Sequence, residues 1–210
     1  MSKYEKILVV ILMGSLWGAL ELFGVDLLRA WGIPNRSVIL FGASLLLIYA
    51  SKRIIDFTGS VVLMAVVASL FKTASSNFFP CQIAAVMING IVFDITYRVF
   101  KNRLNSSFIY RIIAAVVIAY VSFAAFGFTA VYLLRESNWV AGGLKGIGDY
   151  VGSRALVAAL FSAVTINLGF YLGGLARPYF LSGRPGFTTA FIKVTAAILV
   201  ITIWVAGQIY

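Results

Sequence analysis

Histidine is absent from the 210 residues, cysteine occurs once, and aspartate and glutamate together number seven. Without histidine there is no Ser-His or Cys-His triad, no H-E-x-x-H zinc site and no histidine-ligated haem. The lone Cys81 excludes an internal disulfide framework. No G-x-x-x-x-G-K-[ST] occurs, so ATP is not bound through a P-loop. An aspartate dyad fails as well, because the acids inside apolar runs, Glu21 and Asp94, fall at opposite depths. Together these gaps argue against an enzyme and call for neither metal nor cofactor. Internal repeats and low-complexity tracts are also missing, so an inverted-repeat transporter is not indicated. No A-x-A-like cleavage site follows the first apolar segment, which therefore reads as a retained helix.

Charge is scarce too. Only 11% of the chain is charged and 61% is hydrophobic, with a mean hydropathy of +0.99. A soluble domain carries about a quarter charged residues, and this apolar excess has no place in a water-soluble core. The chain is expected to be an all-α, polytopic membrane helix bundle forming a single transmembrane domain over 1–210. Its apolar runs are Ile7–Phe23, Ser37–Ala50, Phe57–Ala74, Pro80–Val99, Phe108–Leu134, Arg154–Ala176 and Phe187–Gln208. Most approach the ~20 residues a helix needs to cross a bilayer. Strands are not expected, because barrel signals come as ~10-residue alternations and these runs are continuous. Lys52 and Arg53 extend the short second run by snorkelling. Lys193, six residues into the last run, reads the same way and not as a retinal anchor.

The formal charge is +10, yet the bases lie mostly between apolar runs, the pattern of the positive-inside rule and not of nucleic-acid binding. With the N-terminus cytoplasmic, eleven bases fall inside and six outside. Three connections are then external. These are Gly24–Arg36, the aromatic Ser75–Pro80, and Arg135–Ser153, which carries five glycines and reads as a loop. Loops carry function more often than the elements they join.

Ionisable groups at membrane depth are functional candidates by default. Glu21 lies fourteen residues into the first run and Lys72 fifteen into the third. Both helices enter from the inside, so both side chains reach ~21–22 Å into a ~30 Å core. They should be neighbours, as a structural ion pair or around a shared ligand. Asp94 lies toward the inner side with Arg98 at i+4, a spacing that favours a local salt bridge. Gln82, Asn89 and Thr96 form one stripe at intervals of seven, whose amides need protein or polar ligand as partners. Ser69, Lys72 and Ser76 line one face of the third helix, and Asn167 is read as packing. Small residues at Gly14, Ser15, Gly18 and Ala19 admit close approach by another helix, whereas Gly169 and Gly173 read as internal packing.

The stretches "GSLWGALELFG", "LLRAWGIPNRSVILFGASLLLIYASKR" and "GSVVLMAVVASLFKTASSNFFPCQIAAVMINGIVFDI" together resemble the substrate-binding S components of energy-coupling-factor (ECF) vitamin and micronutrient transporters. The shared elements are the small-residue motif in helix 1, a first outer loop ending in Pro, a late lysine in helix 3 and a Pro-led helix 4. The resemblance implies a six-helix core over about 7–176, with 187–208 as a seventh, additional helix. It implies a small-molecule site under the outer loops, and docking of the helix 1 small-residue face, Gly14, Ser15, Gly18 and Ala19, on a transmembrane coupling subunit driven by ATPases. Asn89 stands where many relatives carry an acid.

The expected function is therefore substrate capture in a prokaryotic plasma membrane, for uptake of a small, anionic, vitamin-like solute. The solute would contact Glu21, Lys72, Gln82, Asn89, Arg29, Trp31 and Trp139, with Phe78, Phe79 or Tyr150 as further covers. A stand-alone gradient-coupled transporter or channel, and a non-transporting scaffold subunit, are the alternatives.

Overall fold

The computed structural model describes residues 2–73, 80–181 and 187–209, with side chains described except at 181–193 and 209. The expectations for Ser76, Phe78, Phe79 and the Lys193 side chain lie outside the described residues. Helices α1 (Lys3–Ala30), α2 (Arg36–Ile54), α3 (Ser60–Thr73) and α4 (Pro80–Ser106) come first. They are followed by α5 (Phe108–Phe128), α6 (Ser137–Tyr150), α7 (Leu156–Leu181) and α8 (Phe187–Ile209). One π-helical turn, Thr129–Leu133, prolongs α5, and another, Val151–Ala155, joins α6 to α7. No strand occurs among the described residues. Five of these helical spans are long and apolar enough to cross a bilayer, the medium in which a helix satisfies its own backbone groups. The chain is an all-α integral membrane protein.

Six spans close into a ring. In order round it α1 touches α2, α2 touches α7, α7 touches α5, α5 touches α4, α4 touches α3, and α3 returns to α1. Helix α8 stands outside this ring against α1 and α3. We call the end where α1 finishes and α2 begins the upper end, and the opposite one the lower end.

The closest pairing is α2 with α7, and glycine explains it. A Cβ on Gly169 would strike the Leu46 carbonyl, and one on Gly173 would lie 2.5 Å from the Ala50 oxygen. The contacts rise together in number along both helices, so α2 and α7 run parallel. Tyr49, on the same stretch of α2, plugs the lower half of the ring among Phe93, Tyr97 and Phe170, at centroid distances of 5.9, 6.1 and 6.0 Å. Beside it the buried Arg111 donates to Asn167 Oδ1 at 2.7 Å and to the Leu104 carbonyl at 2.9 Å, so Asn167 holds a guanidinium as well as filling space.

Two expectations about the lower end are corrected. Lys52 does not snorkel; it is buried and its ammonium bonds Asp94 Oδ1 at 2.8 Å, Ser60 Oγ at 2.9 Å and the Phe57 carbonyl at 2.8 Å. Asp94 therefore pairs with Lys52, and Arg98 is exposed. The other oxygen of Asp94 accepts the Val61 and Val62 amides, both at 3.1 Å. Those amides begin α3 and have no intrahelical acceptor, so a carboxylate supplied by α4 caps α3.

The glycine-rich stretch after Arg135 is helical, not a loop. Its glycines face open space, and only Gly143 leaves helical geometry, at φ 51° and ψ −146°. Packing overrides the poor helix propensity: Ile147 is buried against Gly127, and Tyr150 stacks on Phe123.

The small-residue face of α1 is occupied from within, which corrects its reading as a surface for a partner subunit. A Cβ on Gly14 would lie 2.7 Å from Val67 Cβ, and one on Gly18 would lie 2.8 Å from the Phe71 ring, both on α3. Ser15 is buried and accepts a hydrogen bond from the Trp204 indole of α8 at 2.8 Å. Ala19 is half-buried beside them. Close spacing of small residues reports that a helix approaches, and here the helices are the chain's own. Ser15→Ala should leave the Trp204 N–H without its acceptor and destabilise the bundle by about 1 kcal/mol. A double-mutant cycle with Trp204→Phe, read by thermal unfolding in detergent, should show a coupling of similar size.

Candidate functional site

The upper half of the ring is hollow. A cavity of about 490 Å³ lies there, walled by α1 to α5 and by the end of α6 with the π-helical turn that follows it. From α1 come Glu21, Val25 and Arg29; from α2, Arg36, Ser37, Leu40 and Phe41. Lys72 reaches in from α3, and Cys81, Gln82, Ala85 and Asn89 from α4. Helix α5 supplies Ser122, Phe123 and Phe126, and the α6–α7 span supplies Tyr150 and Arg154.

The hollow follows from what the helices carry at this level. Below it, large rings on α2, α4 and α7 meet at the axis. At its own level, the inward positions hold a carboxylate, a lysine, two amides and a serine. Polar groups at this depth favour a wet or liganded space over dry packing.

Glu21 and Lys72, matched in depth from the sequence, lie 3.7 Å apart. The second carboxylate oxygen of Glu21 accepts the Ser44 hydroxyl at 3.1 Å. Lys72 is buried, and Glu21 retains 15% of its side-chain exposure, which is directed to the cavity it lines. Gln82 and Asn89, two turns apart on α4, are half-buried and share that wall. Arg29 lines the rim and pairs with Asp26 at 3.0 Å.

Five of the seven expected solute contacts thus come together: Glu21, Lys72, Gln82, Asn89 and Arg29. The two tryptophans do not. Trp31 caps α1 and is 67% exposed, because the helix runs on into the expected loop as far as Ala30 and carries it beyond the cavity. Trp139 stands behind the wall, edge-on to Tyr150 at 4.7 Å and to Phe126 at 5.6 Å. It buttresses an aromatic wall that it does not form.

Of that wall the sequence offered Tyr150 as a cover, and Tyr150 lines the cavity, whereas Phe41 and Phe123 were left unassigned. Phe41 meets Phe123 edge-to-face at 5.3 Å, and Phe123 stacks on Tyr150 at 5.3 Å. A stripe of aromatics in an apolar helix carries no mark separating a cavity liner from a lipid-facing ring. Ser122 did carry a signal: it is the sole serine or threonine between Arg111 and Thr129 in an otherwise apolar run. It is buried, lines the cavity, and its hydroxyl has no hydrogen-bond partner among the described residues.

No protein-family model, curated protein or solved structure matches the chain.

Proposed function

We propose that the chain is a membrane-embedded capture subunit for uptake of a small, anionic, vitamin-like solute. Transport would be energised by a transmembrane coupling subunit and ATPases, as the resemblance to ECF S components implies. In this reading the N-terminus is cytoplasmic in a prokaryotic plasma membrane, and the hollow upper end faces outward. The observation that carries it is the cavity itself. A space large enough for a small organic molecule is open at one end of the ring, closed at the other by packed aromatics, and floored by the Glu21–Lys72 pair. The chain has no nucleotide-hydrolysing motif of its own, so the energy must come from partners or from a gradient. With the small-residue face of α1 covered by α3 and α8, a coupling subunit would dock elsewhere on the bundle.

Native mass spectrometry of protein extracted from its own membrane is the direct test. A small molecule retained by the wild type should be lost or held at least roughly tenfold more weakly by Glu21→Gln and Lys72→Ala, since each removes a charge-assisted contact. Retention unchanged by both substitutions, or a wild type that holds no solute, would sink the capture reading.

A gradient-coupled transporter is the second reading, favoured by one observation. A smaller cavity of about 140 Å³ at the lower end is lined by Lys52, Asp56, Asp94 and Lys101, so charged groups stand at both ends of α3. Solute flux through the purified chain alone in liposomes would select this reading.

A further inference from the structure

The charges around the upper cavity do not balance. Four bases line it, Arg29, Arg36, Lys72 and Arg154, against the single acid Glu21. Two of the bases have acidic partners, Arg29 with Asp26 and Lys72 with Glu21. Arg36 and Arg154 have none among the described residues, and Nη1 of Arg36 is shut off from solvent with no hydrogen-bond acceptor. A guanidinium nitrogen buried without an acceptor is costly, and proteins rarely leave one so. The half-buried remainder of each arginine lines the cavity, where an anionic guest would compensate the charge.

Arg36 opens α2, and Arg154 lies in the π-helical turn that leads into α7, the helix packed most closely on α2. The parallel register of Leu46 with Gly169 and Ala50 with Gly173, continued upward, brings Arg36 and Arg154 within about two helical turns of one level. Both half-buried side chains reach the same space from adjacent helices. Five residues below Arg36 on α2 is Phe41, and one turn above Arg154 is Tyr150, the two ends of the Phe41–Phe123–Tyr150 wall. An aromatic wall therefore adjoins two arginines that no acid balances among the described residues.

We propose that Arg36 and Arg154 form an oxyanion subsite for a phosphate or carboxylate carried on a ring-containing body that packs against Phe41, Phe123 and Tyr150. The planar forks of two guanidiniums match such a group bidentately, and a lysine at either position would not. This assignment deepens the capture reading and rests on it for the ligand's role in uptake. The Glu21–Lys72 pair is left to bind the ligand's polar end, not its anion.

The same anionic chemistry is available from a soluble solute or from a lipid headgroup, and one experiment separates them. Phenyl phosphate is the probe and phenol its uncharged control, with the purified full-length chain in phosphatidylcholine nanodiscs and binding read by calorimetry. Phenyl phosphate should bind the wild type and phenol should not. Arg36→Gln and Arg154→Gln should each weaken phenyl phosphate by roughly tenfold or more. Arg36→Lys should recover only part of that loss. Neither arginine has an acidic partner to lose among the described residues, so the unliganded variants should unfold at the wild-type temperature. Competition by phosphatidylglycerol added to the disc would make a lipid headgroup the natural occupant, and its absence would make it a soluble solute; either outcome sustains the subsite. No binding of phenyl phosphate, equal binding of phenol, or affinity indifferent to both glutamine variants overturns it. If native mass spectrometry still finds a solute that depends on Glu21 and Lys72, the capture reading survives that failure.

Discussion

Asp94→Ala should destabilise the bundle by about 3–5 kcal/mol, the usual cost of stripping one partner from a buried ion pair. The substitution leaves the Lys52 ammonium buried with only the Ser60 hydroxyl and the Phe57 carbonyl as acceptors. It also leaves the Val61 and Val62 amides at the start of α3 without an acceptor. Lys52→Met should cost less, because Asp94 keeps both amide donors. Lys52→Met combined with Asp94→Leu should be milder than Asp94→Ala alone, since no charge is then stranded, although the two amides still go unmet. Unfolding by denaturant in mixed micelles, followed by circular dichroism, checks the order. A double variant as unstable as Asp94→Ala would mean that capping α3, and not charge pairing, is what Asp94 chiefly supplies.

The second large effect concerns the seam between α2 and α7. Gly169→Ala and Gly173→Ala should each lower stability by about 1–3 kcal/mol, the cost of forcing extra atoms into close packing. The obstacles are backbone atoms, the Leu46 carbonyl at one position and the Ala50 oxygen and Cα at the other, and these cannot rotate away as a side chain would. Gly169→Leu should prevent the bundle from assembling, seen as loss of a monodisperse species in size-exclusion chromatography. Gly174→Ala is the internal control. Its added methyl would meet only an Arg53 guanidinium nitrogen at 3.7 Å, an ordinary contact, and helix propensity favours the change by up to about 1 kcal/mol. If all three alanine variants behave alike, the seam is looser than its geometry implies.

What the sequence disclosed, and what it hid, follows from the range of the interactions. The convergence of Glu21 and Lys72 was legible because membrane helices cross in alternating senses with a fixed rise, so residue count reports depth. The Lys52–Asp94 pair was not. Lys52 sits at the end of its span beside Arg53, where snorkelling is the default, and Arg98 offered Asp94 a partner at i+4. The partner was decided by where α3 begins, which brings amides and an ammonium to the same carboxylate from 32 to 42 residues away. The Arg135–Ser153 stretch was misread because glycine content is local information, while its helix is held by Ile147 and Tyr150 against α5. The small residues of α1 announced a close neighbour without naming it. Of the cavity, the polar floor and Tyr150 were readable and the rest of the aromatic wall was not, since burial against a void and burial against a neighbour leave the same composition.

The glycine seam also constrains how the hollow can change shape. With backbone resting on backbone at Leu46 and Ala50, α2 and α7 have no side-chain layer in which to slide, and must travel as one body. Arg36 and Arg154 are therefore mounted on a common spine and keep their separation while other parts of the ring shift. Any hinge that admits or expels a guest has to lie off that spine, among α1, α3, α4 and α5 or in the segment above Gly143, whose backbone already departs from the helix.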